Sequence, residues 1–333
     1  MLNPYLNLNE KVFDNPNLEA VRSGFGKALV ELGQQNPSVV VLTADLKEST
    51  QCAEFAEKFP ERFFEVGVAE QNLVAIAAGL AVSGKVPYAC SYAVFSPGKN
   101  WETVRTTIAY NNSNVKIAGH HAGIITGADG VTHQATEDLA LTRTLPNFIV
   151  YSPCDAIEAK KITLESAKIQ GPVYLRFSRE KTPLMTTEST PLETKPQLFW
   201  TSSEPQVAIF ATGHMVYYAL LAAKILEKEN IQSLVINVST LKPLDEATVI
   251  QIAKKSNACV TVEDHQITGG LGDAVSAILT KHFPLPLEKI GVLDTFAESG
   301  TAKELLQKYQ MDENAIVKAA KTVIERKNRL GRF

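Results

Sequence analysis

Short, largely apolar runs alternate with segments of helical period from Leu18 onward, and that alternation limits the fold of this chain more than any other feature. Ser38–Thr43 reads SVVVLT, and Val86–Ser91, Val115–His120, Phe148–Tyr151 and Val173–Phe177 are of the same kind. Runs of this length without polar alternation predict strands buried on both faces. Between them, Leu18, Val21, Phe25, Leu29 and Leu32 recur at helical spacing. Further helices are predicted around Ser49–Phe59, Gln71–Val82 and Pro97–Tyr110 and from Asp155, with another strand at Arg62–Val66. Strands separated by helices imply a parallel sheet with helices on both faces.

The pattern breaks between Lys181 and Gln206, where TPLMTTESTPLETKP repeats Thr and Pro with no helical period, and a domain boundary is expected there. A second α/β pattern follows. It has strands at Val207–Ala211, Ser233–Val238, Ala258–Val262 and Lys289–Leu293, and helices at Met215–Glu229, Asp245–Lys255 and Gly272–His282. The expectation is α/β with two three-layer domains: an N-terminal arm over 1–16, a parallel-sheet domain over 17–182, a linker over 183–205 and a smaller mixed-sheet domain over 206–333. A net charge of −3 with 45% hydrophobic residues describes a soluble globular chain. It argues against nucleic acid as a partner, because the one basic run, Lys321 to Arg332, reads as a solvated helix end. No apolar stretch is long enough to span a bilayer, and MLNPYLNLNEKVFDN has no leader-like apolar region. Cys52, Cys90, Cys154 and Cys259 form no CxxC pair, so reduced thiols and a cytoplasmic location are expected.

In sheets of this kind ligands sit beyond the carboxyl ends of the strands. Glu70, in FFEVGVAEQNLVAIAAGLAVSG, follows a strand and opens an apolar helix. A first-turn glutamate serves the helix dipole, but a carboxyl group in apolar surroundings can also share a proton with a ring nitrogen. The stretch HHAGIITGADGVTHQATEDLA holds His121, His133 and Asp129 in a glycine-rich loop after a strand, a typical setting for function.

At this point the sequence becomes specific. GADGVTHQATED resembles the GEDGPTHQ-type signature of transketolases and the GADG-THQ form of deoxyxylulose phosphate synthases. GVAEQN resembles the segment carrying those enzymes' cofactor glutamate, ADLKES their ADL-x-x-S element, and FSRE their S-R phosphate-binding element. All four stand in the family's order, and the resemblance runs from about Leu18 through the second domain. It implies the C-terminal half of a transketolase, the pyrimidine-binding domain plus the C-terminal domain, with thiamine diphosphate as cofactor and a two-carbon ketol transfer between sugar phosphates of the pentose phosphate type. On that resemblance Glu70 holds the aminopyrimidine nitrogen, while Phe95 and the nearby Tyr92 pack against the ring. His133 polarises or protonates substrate oxygens, and Asp129 reads the C3 hydroxyl of the donor. Arg22, Ser49, His121 and Arg179 take the terminal phosphate, a role that suits a planar guanidinium fork with hydroxyl and imidazole donors. Asp45 resembles a family residue near the thiazolium. Arg22 also reads as a helix-surface cation, and Arg179 as a partner of Glu180.

The chain departs from the family at Gly98, where the synthases place arginine and transketolases usually an aromatic residue. The Gly-Asp-Gly…Asn element that binds the diphosphate through a magnesium or calcium ion is not found; Gly272-Asp273-Ala274 lacks the asparagine. The resemblance therefore implies a split enzyme, with a separate N-terminal transketolase subunit supplying the metal site and an α2β2 assembly. Three other readings remain: the β subunit of a 2-oxo acid dehydrogenase, half of a deoxyxylulose phosphate synthase, and a non-catalytic scaffold subunit. His265, in VEDHQITGG, reads as a satisfied loop histidine, and the second domain as structural.

Overall fold

The computed structural model describes residues 1–331; Arg332, at the end of the basic run, and Phe333 lie outside the described residues. The first half is built on a seven-stranded sheet. Its spatial order is Thr240–Lys242, Ile149–Tyr151, Val173–Arg176, Lys116–His120, Val86–Tyr92, Val39–Thr43 and Phe63–Glu65. All neighbours are parallel except Thr240–Lys242, which runs antiparallel to Ile149–Tyr151. Every residue of Val39–Thr43 and Val86–Tyr92 is buried, as strands covered on both faces require. Phe25 and Leu29 of helix Val21–Gln35 and Ala159 and Ile162 of helix Ala156–Ser166 pack on one face with Val39, Val41, Tyr88 and Leu175. These two helices cross closely at Gly24, where a Cβ would meet Ala156 O at 1.8 Å. The other face buries Leu73, Val74 and Ala77 of helix Glu70–Val82 in a cluster that continues into the second half through Phe210, Ile236 and Val275.

The second half carries a five-stranded sheet in the order Leu287–Val292, Cys259–Gln266, Val207–Ala211, Ser233–Asn237 and Gln197–Trp200, the last antiparallel. Helices Met215–Lys228 and Glu313–Leu330 supply buried side chains to one cluster, Glu246–Ser256 and Leu271–His282 to the other. Chain crosses between the halves in both directions. Thr240–Lys242 leaves the second half to edge the first sheet, and residues 1–13 lie against the second, with Asn3 N–H donating to Phe199 O (2.9 Å) and Leu8 and Val12 in its core. Among the described residues no helix is long and apolar enough to cross a membrane.

Several elements differ from expectation. Leu18 belongs to a short antiparallel pair, Leu18–Ala20 with Lys181–Pro183, rather than to the helix that starts at Val21. The helix expected over Ser49–Phe59 is confined to Ala53–Lys58, after turns closed by Thr50 and Cys52 backbone hydrogen bonds. The helix expected from Pro97 begins earlier and is irregular: π-helical turns at Val94–Lys99 and Val104–Ala109 flank a single α turn, and Ser96 breaks the helical path ahead of Pro97. Such widened turns occur preferentially at functional sites.

Candidate functional site

The carboxyl ends of four parallel strands, at Thr43, Tyr92, His120 and Arg176, open onto one mouth. Tyr92 ends the strand Val86–Tyr92, and the chain then turns into the Val94–Lys99 segment, which carries Phe95. The two rings lie near-parallel with centroids 5.9 Å apart and 13° between planes. His121, just beyond the next strand, stacks on Tyr92 at 3.8 Å and 23°. His133 meets both aromatic rings edge-on, at 5.9 Å from Tyr92 and 5.5 Å from Phe95. Thus four residues singled out from the sequence form one continuous ring cluster. The other histidine of the HH pair is not in it: His120 is packed between Phe25 and Phe177 in the core.

The loop that bears His121, Asp129 and His133 is tightly shaped. His121 itself has φ +55°, and glycines with positive φ follow at 123, 127 and 130. His133 Nδ1 shares a hydrogen bond with Thr132 Oγ1 at 2.8 Å, and Asp129 is exposed at the mouth. Arg22, in the first turn of its helix, donates through Nη1 to Ser49 O at 2.6 Å, so the backbone rather than the hydroxyl of Ser49 makes this contact. Arg179 donates through Nη1 to Thr126 O (3.0 Å) and pairs with Glu180 Oε1 (3.3 Å), the pairing the sequence allowed. Among the described residues, Arg22 Nε and His121 Nδ1 are buried with no hydrogen-bond partner. Burial pulls the Arg22 guanidinium pKa down, and the charge of Arg179 adds to this while Tyr92, Glu180 and Asp129 oppose it. His121 is pushed down to about 3 by burial, then by Arg22, Arg179 and His133. Positive charge and unpartnered polar atoms therefore converge on one spot, an arrangement that favours an anion.

Glu70 is the first residue of helix Glu70–Val82 and only 2% exposed. Its surroundings are not wholly apolar as the sequence led us to expect: Lys99 Nζ donates to Glu70 Oε2 at 2.7 Å, with the lysine side chain half exposed. Asn100 Nδ2 donates to Glu70 O (2.8 Å) and to Ser96 Oγ (3.2 Å). The carboxylate is thereby fastened to the segment that carries Phe95. Lys99 escaped notice because it is separated from Glu70 by 28 intervening positions and sits where helical periodicity is lost. Gly98 leaves the wall beside Phe95 without a side chain; a Cβ there would lie 3.4 Å from Ala93 O. Asp45 lies at the end of the neighbouring strand, exposed and with φ +62°, its N–H donating to Glu65 Oε1 at 2.7 Å. None of the ring contacts or hydrogen bonds described above includes its side chain.

Buried polar groups that no local sequence pattern marks lie beneath the mouth. Arg176 and Asp138 form a forked ion pair at 2.8 and 3.1 Å, with Tyr174 OH donating to Asp138 Oδ2 at 2.6 Å. His265 lies on a strand rather than a loop, and it is satisfied: Nδ1 bonds Gln266 O at 2.7 Å and Nε2 accepts from Ala140 N–H at 3.3 Å. Neighbouring Asp264 accepts from backbone N–H groups of the histidine loop, and burial pushes its pKa up to about 6.

Comparison with known proteins places this geometry. Residues 19–185 match the transketolase pyrimidine binding domain and residues 200–316 the transketolase C-terminal domain. The chain is 42% identical over 304 residues to a protein of Methanocaldococcus jannaschii named as a transketolase C-terminal section, covering 90% of this chain and 95% of that one. It is 36% identical to the 6-deoxy-6-sulfo-D-fructose transketolase subunit SqwH of Clostridium sp., covering 92% and 95%. Among solved structures, a split gene transketolase described as an inactive β4 tetramer superimposes with a TM-score of 0.86 at 44% identity, over 92% of this chain and 99% of that one.

Proposed function

The chain belongs to the transketolase family, and on that premise we propose that it is the C-terminal subunit of a split transketolase, moving a two-carbon ketol unit from a ketose phosphate to an aldose phosphate. One observation carries the reading. A buried carboxylate, Glu70, is fastened by Lys99 to the Phe95 segment at a mouth where Arg22 Nε and His121 Nδ1 have no partners among the described residues. These residues fit the pyrimidine half of thiamine diphosphate: an acid for a ring nitrogen and the faces of Phe95 and Tyr92 for the ring. When bound, the cofactor supplies a thiazolium that takes up the electron pair released as the donor's carbon–carbon bond breaks.

The chain's own groups do the rest. Glu70 holds a proton at the pyrimidine nitrogen, and Lys99 holds Glu70 in place. Phe95 and Tyr92 exclude water from the ring, and Asp45 would be among the residues that hold the thiazolium. His133 gives or takes a proton at the sugar oxygens, its ring oriented by the bond to Thr132. Asp129 reads the C3 hydroxyl. Arg22, Ser49, His121 and Arg179 grip the phosphate, and that remote binding energy serves to orient the reacting carbons. The diphosphate and its magnesium or calcium ion fall to a partner subunit in an α2β2 assembly, as the split gene relative encourages. A cytoplasmic setting suits the four free, buried cysteines.

The test is reconstitution with a diphosphate-domain subunit and three donors: D-xylulose 5-phosphate, 6-deoxy-6-sulfo-D-fructose and pyruvate. Two-carbon transfer from one of the anionic ketoses is expected. Turnover of pyruvate alone would move the chain to the oxo acid dehydrogenase or synthase reading.

A further inference from the structure

We propose that Asp264, in the second half of the chain, is a positioning residue that sets His121 and Arg179 for the substrate phosphate by fastening the turn between them. The inference rests on the phosphate reading of the mouth given above.

Asp264 lies on strand Cys259–Gln266 and is 1% exposed. Its Oδ1 accepts from Ile124 N–H at 2.8 Å and its Oδ2 from Ile125 N–H at 3.3 Å. The approach is possible only because residue 123 is glycine. Gly123 has φ +84°, and a Cβ there would lie 1.9 Å from Asp264 Oδ2. The next residue, Thr126, is the link to the site. Its hydroxyl donates to His121 O at 2.6 Å, and its own carbonyl accepts from Arg179 Nη1 at 3.0 Å. Two residues held by Asp264 are therefore followed by one that holds both phosphate ligands. The aspartate is in turn braced, since Arg176 Nη2 donates to its backbone oxygen at 2.7 Å.

The restraint has something to hold against. His121 sits at φ +55°, a conformation that costs a non-glycine residue energy and persists only where its surroundings enforce it. Its ring must also keep an unpartnered Nδ1 buried beside two guanidinium groups. Without the Asp264 acceptors, the Ile124 and Ile125 N–H groups are orphaned in a buried turn, and the turn must shift to find water. A shift of about 1 Å in a binding group is enough to cost one to two orders of magnitude in the function it serves.

The experiment uses the full chain and inorganic phosphate, with affinity read by calorimetry and the unfolding midpoint recorded on the same samples. Asp264→Ala is expected to weaken phosphate binding at least about tenfold, and Asp264→Asn, which keeps an acceptor for Ile124, to recover most of that loss. Thr126→Val, which preserves shape and removes only the hydroxyl tie to His121, guards against misfolding of the aspartate variants and is expected to weaken phosphate as well. In the enzyme assembled with its partner, the KM for D-xylulose 5-phosphate is expected to rise while that for D-xylulose stays put; a merely structural role would move both. Phosphate affinity within twofold of wild type in both Asp264→Ala and Thr126→Val, while Arg179→Ala loses it, overturns the positioning role and leaves the phosphate reading intact. Failure of the unaltered chain to bind phosphate at all overturns both.

Discussion

Replacing Arg22 by methionine removes a charged donor from the mouth while keeping an unbranched side chain in its half-buried slot. In the structure the guanidinium has one hydrogen bond, to Ser49 O at 2.6 Å, and a buried Nε with no partner. A bound phosphate would engage it through charge-assisted bonds worth about 1.5–3 kcal/mol. At 1.4 kcal/mol per tenfold, KM for a phosphorylated donor should rise about 10- to 150-fold. The fold should lose much less. One bond of about 1 kcal/mol disappears, but the methionine also escapes the burial and the Arg179 repulsion that depress the pKa of the arginine. A second readout is independent of turnover: His121, held at about 3 partly by the Arg22 charge, should titrate higher in the variant. The assays are KM and kcat for D-xylulose 5-phosphate against D-xylulose in the assembled enzyme, and the His121 ring shifts by NMR. An equal rise in KM for both sugars, or a His121 pKa that stays fixed or falls, would refute the argument.

Other perturbations probe the groups beneath the mouth. Arg176→Met leaves Asp138 buried with only Tyr174 as a donor, and chemical denaturation should show a loss of about 3–5 kcal/mol; pairing it with Asp138→Leu should restore most of that. His265 is neutral in the fold, donating from Nδ1 and accepting at Nε2, and burial pushes its pKa down to about 4. The unfolded chain binds that proton near 6.5, so the stability His265 contributes is present above pH 6.5 and is lost as pH falls toward 4, by at most about 3 kcal/mol. His265→Gln should flatten the stability profile across that window. Lys99→Met leaves the buried Glu70 carboxylate without its ion partner, so chemical denaturation should show a loss of about 1–3 kcal/mol, and ketol transfer should fall as Glu70 loosens.

The fold was legible where physics is local. Strands such as Val39–Thr43 and Val207–Ala211 announce themselves because burial on both faces forces continuous apolar runs. Thr240–Lys242 could not be found that way, since its partner Ile149–Tyr151 lies about ninety residues earlier and three residues carry no period. Helix Asp138–Arg143 was missed for a similar reason: it is short, and its leading aspartate serves Arg176 rather than a cap. In the site, glycines and paired histidines marked the loop. What holds the loop did not show, because Asp264 is 140 positions from Ile124 and looks in sequence like any charged residue at a strand end. Lys99 illustrates the opposite error: a short distance in space was hidden by an irregular turn, so Glu70 was expected to lie in apolar surroundings alone.

The proposal as a whole depends on what the Glu70 carboxyl does to a pyrimidine ring. The direct measurement is proton–deuterium exchange at C2 of thiamine diphosphate in the assembled enzyme, for the unaltered chain and for Glu70→Gln, with the unfolding midpoint as a control. Loss of a positioned acid should slow exchange by about 10²- to 10⁴-fold with the fold intact. Exchange at an unchanged rate in the glutamine variant would contradict the account.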